Sequence, residues 1–247
     1  THARISLDGC VPLCTSFDAV GYFARDGAVF ERVGDVLLGP DTRPLPQNPP
    51  LWRAADAFEW LDAPVRQALA PSVDLVQAVL GGARDVRVAV DPDADALFWA
   101  FRHLQGREAW LSDGPFIERY CPPLGPGVAE RFAWSREVSD EQVAQARRLQ
   151  RALRIRLTSL LKAGAVLMLP TMPDIAPRLD EDEHSLDQYR NRAMRLLCWA
   201  SLAGLPQVSI PLARRLGAPL GLSLIGPAGS DLSLVRLAVR IWGAAAP

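Results

Sequence analysis

The sequence predicts an α/β fold, a mixed, largely parallel sheet flanked by helices. Three observations predict it. Long stretches with helical apolar spacing alternate with short, continuous apolar ones, the signature of helix and buried strand in turn. The run "AVLMLP" (165–170) has no polar residue, as expected of a strand covered on both faces. With 247 residues, 49% hydrophobic and 22% charged, the chain is long enough to bury roughly 70% of its unfolded surface in a core.

"DGAVFERVGDVLLG" places Val29, Phe30, Val33, Val36 and Leu37 on one helical stripe, with Asp26 as N-cap and Gly39 past the end. "PDTRPLPQNPP" (40–50) is too rich in proline for regular structure and reads as a surface connection. A short strand fits Trp52 to Ala55. The spacing in "APVRQALAPSVDLVQAVLGG" predicts a helix interrupted at Pro71 and stopped by Gly81 and Gly82. "DVRVAV" reads as a strand, and "DADALFWAFRHLQG" as a helix capped by Asp91 or Asp93 and closed by Gly106.

The clearest helix is "SDEQVAQARRLQRALRIRLTSLLKAG". Ser139 followed by Gln142 makes a capping box, and Val143, Ala146, Leu149, Leu153, Leu157, Leu160 and Leu161 recur at helical spacing before Gly164. "LDQYRNRAMRLLCWASLAG" is a further helix ending at Gly204, followed by the strands "PQVSIP" and "GLSLIG". "SDLSLVRLAVRIW" closes the chain as a helix with Ser230 at its N-cap.

Composition narrows the function classes. A net charge of −1 gives no global field for nucleic acid or an anionic membrane. No apolar run approaches the ~20 residues that span a bilayer, and the first residues lack the shape of a signal peptide. Cys10, Cys14, Cys121 and Cys198 are too scattered for a disulfide framework, which predicts a reducing, cytoplasmic setting.

Few residue patterns suggest chemistry on their own. Cys10 and Cys14 lack a second Cys or His pair to complete a zinc set and read as small buried hydrophobes. "DEDEHSLD" (180–187), in a loop after Pro173 and Pro177, reads as a solvated acidic run rather than a metal site. Arg147, Arg148, Arg151, Arg154 and Arg156 fit the wet side of an amphipathic helix better than a phosphate grip. His103 stands near a predicted helix end, His2 and His184 in loops, and none has a Ser or Cys nearby that makes a triad readable. Neither a phosphate loop nor a dinucleotide fingerprint is present, so no cofactor and no metal are expected. Thr1 as an N-terminal nucleophile remains a minor alternative, because helix alternating with buried strand is the wrong layer order for a two-sheet sandwich.

The opening "THARISLDGCVPLCTSFDAVGYFARD" resembles the downstream flank of the signature region in the amidase signature family, through Arg4, Ser6, Gly9, Pro12, Ser16, Asp18, Gly21, Ala24 and Arg25. "AVLMLPTMPDIAP", "YRNRAMRLLCWASLAGLPQVSIPL" and "GAPLGLSLIGPAGSDLSLVRLA" resemble that family's closing strand, helix, strands and helix. "SFDAVGYFARD" and "YRNRA" are similar to amidases of indole-acetamide and related arylacetamides. The resemblance is thinner between residues 40 and 135.

The resemblance implies that the catalytic Lys, cis-Ser and nucleophilic Ser lie upstream of Thr1, so no catalytic residue is expected in this chain. Residues 1–247 are then the C-terminal portion of a single amidase domain, partnered by the missing N-terminal half, with a small amide as substrate and a homodimer left open. A catalytically dead remnant or a partner-binding module is the alternative. Lys162, the chain's one Lys, stands at a helix C-terminus, where the dipole favours a cation. Thr171, Met172, Tyr189 and Gln207 are implied as substrate pocket, with Trp199 and Leu202 either there or in the core. Asp18 and Arg25 are implied to pair or to cap backbone groups around the signature loop, in a supporting role. Ala3 departs from the family's usual Gly, and a positive φ there would strain it.

Overall fold

A computed structural model describes residues 1–89, 95–125 and 127–245. In chain order the elements are α1 (Gly27–Leu38), β1 (Leu51–Ala54), α2 (Ala55–Glu59), α3 (Ala63–Leu80), β2 (Arg84–Val86), α4 (Ala96–Tyr120) and α5 (Val128–Arg136). They continue as α6 (Asp140–Leu160), β3 (Val166–Pro170), α7 (Glu183–Ala203), β4 (Gln207–Arg215), β5 (Ala218–Ile225) and α8 (Asp231–Ala245). The strands form one mixed sheet in the order β2-β1-β3-β5-β4. The pairs β1–β2 and β1–β3 are parallel; β3–β5 and β4–β5 are antiparallel. The antiparallel half follows from a tight connection: only Leu216 and Gly217, both at positive φ, join β4 to β5. A two-residue turn of that hand matches strand twist and forces a hairpin.

Every residue of β3 is buried, so both sheet faces are covered there. α3 and α8 pack on β4 and β5, while α4, α6 and α7 pack on one another. Leu153 and Leu157 of α6 and Leu196, Trp199 and Leu202 of α7 join β3 in the same apolar cluster. α6 begins with the expected capping box, Ser139 Oγ accepting from Gln142 N–H (3.2 Å) and Gln142 Oε1 from Ser139 N–H (2.8 Å). Among the described residues, no helix is long and apolar enough to cross a membrane.

Several sequence expectations need correction. α1 does not bury the stripe through Val29, Val36 and Leu37, which are exposed. It meets α8 along Phe30, Gly34 and Leu38, a narrower line four residues apart. α3 is not interrupted at Pro71. The ring removes one helical hydrogen bond, but Leu69, Val73 and Val76 on the buried face keep the helix docked on both sides of it. The strand expected over 85–90 is shorter, and the proposed caps Asp91 and Asp93 lie outside the described residues. α4 does not close at Gly106 but continues through Gly114 and Pro115 to Tyr120, and α5 was not anticipated.

Gly106 explains the continuation. A Cβ there would stand 2.6 Å from the Trp134 ring and 3.1 Å from Ser135 Oγ, so the glycine is the contact that seats α5 on α4. His103 is consequently not at a helix end. Its ring stacks between Trp99 (5.8 Å) and Trp134 (5.9 Å), with the Arg102 guanidinium 4.9 Å from Trp134. Burial first, and the Arg102 charge second, hold the imidazole below its ordinary range. With the folded value depressed, the unfolded chain takes the proton first. This contribution is therefore full above about pH 6.5 and is lost as pH falls through the folded value. His103→Gln is expected to flatten the decline in melting temperature between about pH 7 and pH 5, followed by calorimetry.

The α8 N-terminus is capped differently from expectation. Ser230 Oγ donates to Pro227 O (2.8 Å), and the free N–H groups of Leu232 and Ser233 are satisfied from a distance by the Asp41 carboxylate (2.9 and 2.7 Å). The connection 40–50 is irregular, as expected, but this carboxylate fixes it to α8.

Candidate functional site

Thr171 follows directly on β3, at a carboxyl end of the sheet, where sites in α/β proteins usually form. Its N–H donates to Gly221 O (3.0 Å), which extends the β3–β5 pairing by one step. Cross-strand register sets Leu169 opposite Ser223 and Ser223 opposite Ser209, and side chains two apart share a face. Thr171, Ser223, Ser209 and Gln207 therefore meet on one face. Thr171 Oγ1 lies 2.8 Å from Ser209 Oγ and 2.9 Å from Ser223 Oγ, and Gln207 Nε2 donates to Ser223 Oγ (2.9 Å). Ser223 is fully buried and Ser209 is exposed.

Of the four residues implied as a pocket, the structure thus brings Thr171 and Gln207 together through Ser223. Met172 is half-buried and precedes Pro173, which lines a cavity of about 20 Å³ with Trp60, Leu61, Arg192, Arg195 and Leu196. Tyr189 reaches the same loop: its hydroxyl donates to Asp174 O (3.1 Å), and burial with the Asp174 carboxylate nearby raises its pKa. It remains a neutral donor at ordinary pH. Arg215 at the end of β4 grips both Asp174 oxygens at 3.0 Å, so α7 and β4 both hold the loop after Thr171. The two arginines at the small cavity are paired, Arg192 with Asp62 (2.8 Å) and Arg195 with Asp95 (2.6 Å). Trp199 and Leu202 have no exposure and belong to the core.

Ser209 and Ser223 were missed in the sequence. The signal available was one Ser in the middle of each apolar strand, "QVSIP" and "GLSLIG", but only the register shows that the two hydroxyls face each other. The acidic run is also placed differently: Asp182 is the N-cap of α7, accepting from Ser185 N–H (2.9 Å), and Glu183, His184 and Asp187 are helical. Among the described residues, no group of three His, Cys, Asp or Glu is arranged to hold a metal.

At the other end of the chain, Asp18 Oδ2 accepts from Leu13 N–H (2.9 Å) and Cys14 N–H (3.0 Å), closing the loop between them. Arg25 is exposed, and among the described residues it makes no hydrogen bond or ion pair. Cys10 is exposed rather than buried. Cys14 is buried, and burial together with the Asp18, Glu108 and Asp113 carboxylates pushes its thiol up to about 12, leaving it unreactive. Thr1 Oγ1 donates to Asp231 (2.6 Å) and accepts from Gly229 N–H (2.9 Å).

Ala3 has φ 58, the left-handed region that disfavours a side chain. Ala3→Gly is expected to stabilise the chain by about 0.5 kcal/mol, the relief of strain less glycine's larger unfolded entropy. A urea titration measures it.

A larger cavity, about 400 Å³, lies between α1 and α8. Its carboxylates are already engaged, Asp35 with Arg236 (2.9 Å) and Asp41 with the α8 backbone, so it offers no reacting group.

Comparison with known proteins agrees with the sheet and its helices. Residues 127–235 match the Amidase family model. Amidase 1 of Arabidopsis thaliana is 32% identical over 96% of this chain and 62% of its own length. Outer envelope protein 64, chloroplastic, of the same organism is 27% identical over 95% of the chain and 44% of its own. The chain therefore spans about four-tenths to six-tenths of the length of these relatives. A crystal structure of an amidase shares the fold with a TM-score of 0.81 at 24% identity, over 96% of this chain and 55% of that one. Residues 127–235 thus resemble the Amidase family, the chain as a whole is similar to Amidase 1 of Arabidopsis thaliana, and its fold is that of a solved amidase.

Proposed function

We propose that this chain forms the acyl-pocket part of an amidase that hydrolyses small, aromatic acetamide-type amides, with its reacting groups on an upstream Ser-cisSer-Lys segment. The observation that carries the reading is the polar group set at the end of β3: Thr171 and Gln207 joined through Ser223, next to apolar Met172 and Pro173. A largely apolar wall with a few fixed polar atoms suits a flat acyl group that needs orienting. In this reading an upstream Ser attacks the amide carbon, backbone N–H groups hold the oxyanion, and Lys acting through the cis-Ser passes the proton to departing ammonia. In this reading the chain itself completes the sheet of the whole domain and builds the wall of the acyl pocket. The reducing, cytoplasmic setting follows from the cysteine usage.

A second reading has two observations in its favour. Some relatives carry the names of chloroplast envelope proteins, including one called a translocon of the outer membrane, rather than of enzymes. This chain exposes Val11, Phe23 and Leu179 almost fully, as a partner-binding module would.

One experiment separates the readings. The reading frame is extended upstream of Thr1 to the preceding Met, and that protein is assayed for ammonia release from indole-acetamide and phenylacetamide. Turnover that disappears when the upstream nucleophilic Ser is replaced by Ala supports the amidase. A folded extended protein that turns over neither amide supports the partner-binding module.

A further inference from the structure

With Gln207 Nε2 as the amide donor, the hydroxyls at the end of β3 can be given an order of protons that satisfies each buried group. A serine or threonine hydroxyl donates one hydrogen bond and accepts up to two. Ser223 Oγ accepts from Gln207 Nε2, so its own proton must go elsewhere. Ser223 has no solvent exposure, and a buried hydroxyl needs an acceptor. Among the described residues, the acceptor within its reach is Thr171 Oγ1 at 2.9 Å. Thr171 is then an acceptor from Ser223, and its proton points to Ser209 Oγ at 2.8 Å. Ser209 accepts that bond and keeps its own proton for a group outside the protein, on an exposed surface.

Gly221 keeps this arrangement open. A Cβ at Gly221 would stand 2.8 Å from Thr171 Oγ1 and 2.9 Å from Ser209 Oγ, closer than packed atoms allow. Any side chain there would fill the space over the two oxygens.

We infer that Gln207, Ser223, Thr171 and Ser209 form a one-way donor chain that ends in a ligand site, where the Ser209 hydroxyl donates to a carbonyl or carboxylate oxygen of a small acyl compound. Each link polarises the next, which strengthens the terminal donor. That the ligand is an acyl compound rests on the amidase reading; the direction of the donor chain does not.

The test uses the 247-residue chain with three probes of similar size, followed by ligand-observed NMR titration: phenylacetamide, phenylacetate and ethylbenzene. The first two offer an amide or a carboxylate oxygen and the third offers none. The oxygen-bearing probes are expected to bind, and Ser209→Ala is expected to weaken them roughly fivefold, the loss of one hydrogen bond, without weakening ethylbenzene or lowering the melting temperature. Gly221→Ala is expected to remove the preference for the oxygen-bearing probes. Three results overturn the inference: neither oxygen-bearing probe binds, ethylbenzene binds as tightly as they do, or Ser209→Ala binds them like the parent. Preference for one oxygen-bearing probe over the other tells amide from carboxylate recognition. Ser209-dependent binding in a chain whose extended form turns over no amide would leave the donor site standing and remove the amidase reading.

Discussion

Trp199→Ala is expected to destabilise the chain by about 3–5 kcal/mol, the range for deleting a large, fully buried aromatic. Trp199 has no exposure, stands edge-on to Trp60 at 5.5 Å, and lies on α7 between the core residues Leu196 and Leu202. Its truncation opens a void beside β3 that the close-packed surroundings fill only in part. The indole also carries a cost of its own: Nε1 is buried without a hydrogen-bond partner among the described residues. Trp199→Phe keeps most of the ring and removes that orphan donor, so its expected cost is below about 1.5 kcal/mol. Urea unfolding of the two variants side by side checks the pair. Equal losses for Phe and Ala would show that the indole nitrogen, not the packing, stabilises this position.

Asp56→Ala has the second largest expected effect, a loss of about 3 kcal/mol. Asp56 is 2% exposed. Its carboxylate accepts from Val88 N–H and Ala89 N–H, both at 2.8 Å, and from Ala57 N–H at 3.2 Å. It thereby ties the start of α2, just after β1, to the segment leaving β2. Alanine leaves those backbone donors without their charged acceptor. Because β2 is the edge strand on that side, the damage is expected to start there. Hydrogen exchange resolves this: protection in 84–89 is expected to fall before protection in β3.

The legibility of this chain varied with the kind of information each feature needs. The start of α6 could be read to within a residue because its signal is local, a capping box at Ser139 and Gln142, whereas the helix ends at Leu160 and a short 3-10 turn over Lys162–Gly164 takes the place of its expected last turn. β3 was equally plain, since "VLMLP" is apolar throughout and its burial is complete. α4 was cut short because Gly106 read as a breaker in one dimension, whereas in the fold it receives the Trp134 ring of α5. The stripe assigned to α1 failed for a related reason. Apolar spacing says that a helix has a sticky side but not how much of it a neighbour covers, and α8 covers a single line.

The candidate site was half visible. Thr171 and Gln207 were implied by the family resemblance. Ser209 and Ser223 were not, because the contact between them depends on antiparallel register across a hairpin, 14 residues apart in the chain. The same holds for Asp41, whose role at the α8 N-terminus spans most of the sequence. Ala3 was legible as a departure from a pattern, and its positive φ is what that pattern's glycine would supply.

The central claim, that this chain shapes an acyl pocket while the bond-breaking groups lie on upstream polypeptide, is tested most directly by mass spectrometry. The purified 247-residue chain is incubated with phenylacetamide and its intact mass recorded alongside released ammonia. The account predicts an unchanged mass and no ammonia above buffer. A phenylacetyl mass gain that maps to one of the chain's own side chains, accompanied by ammonia, would contradict it.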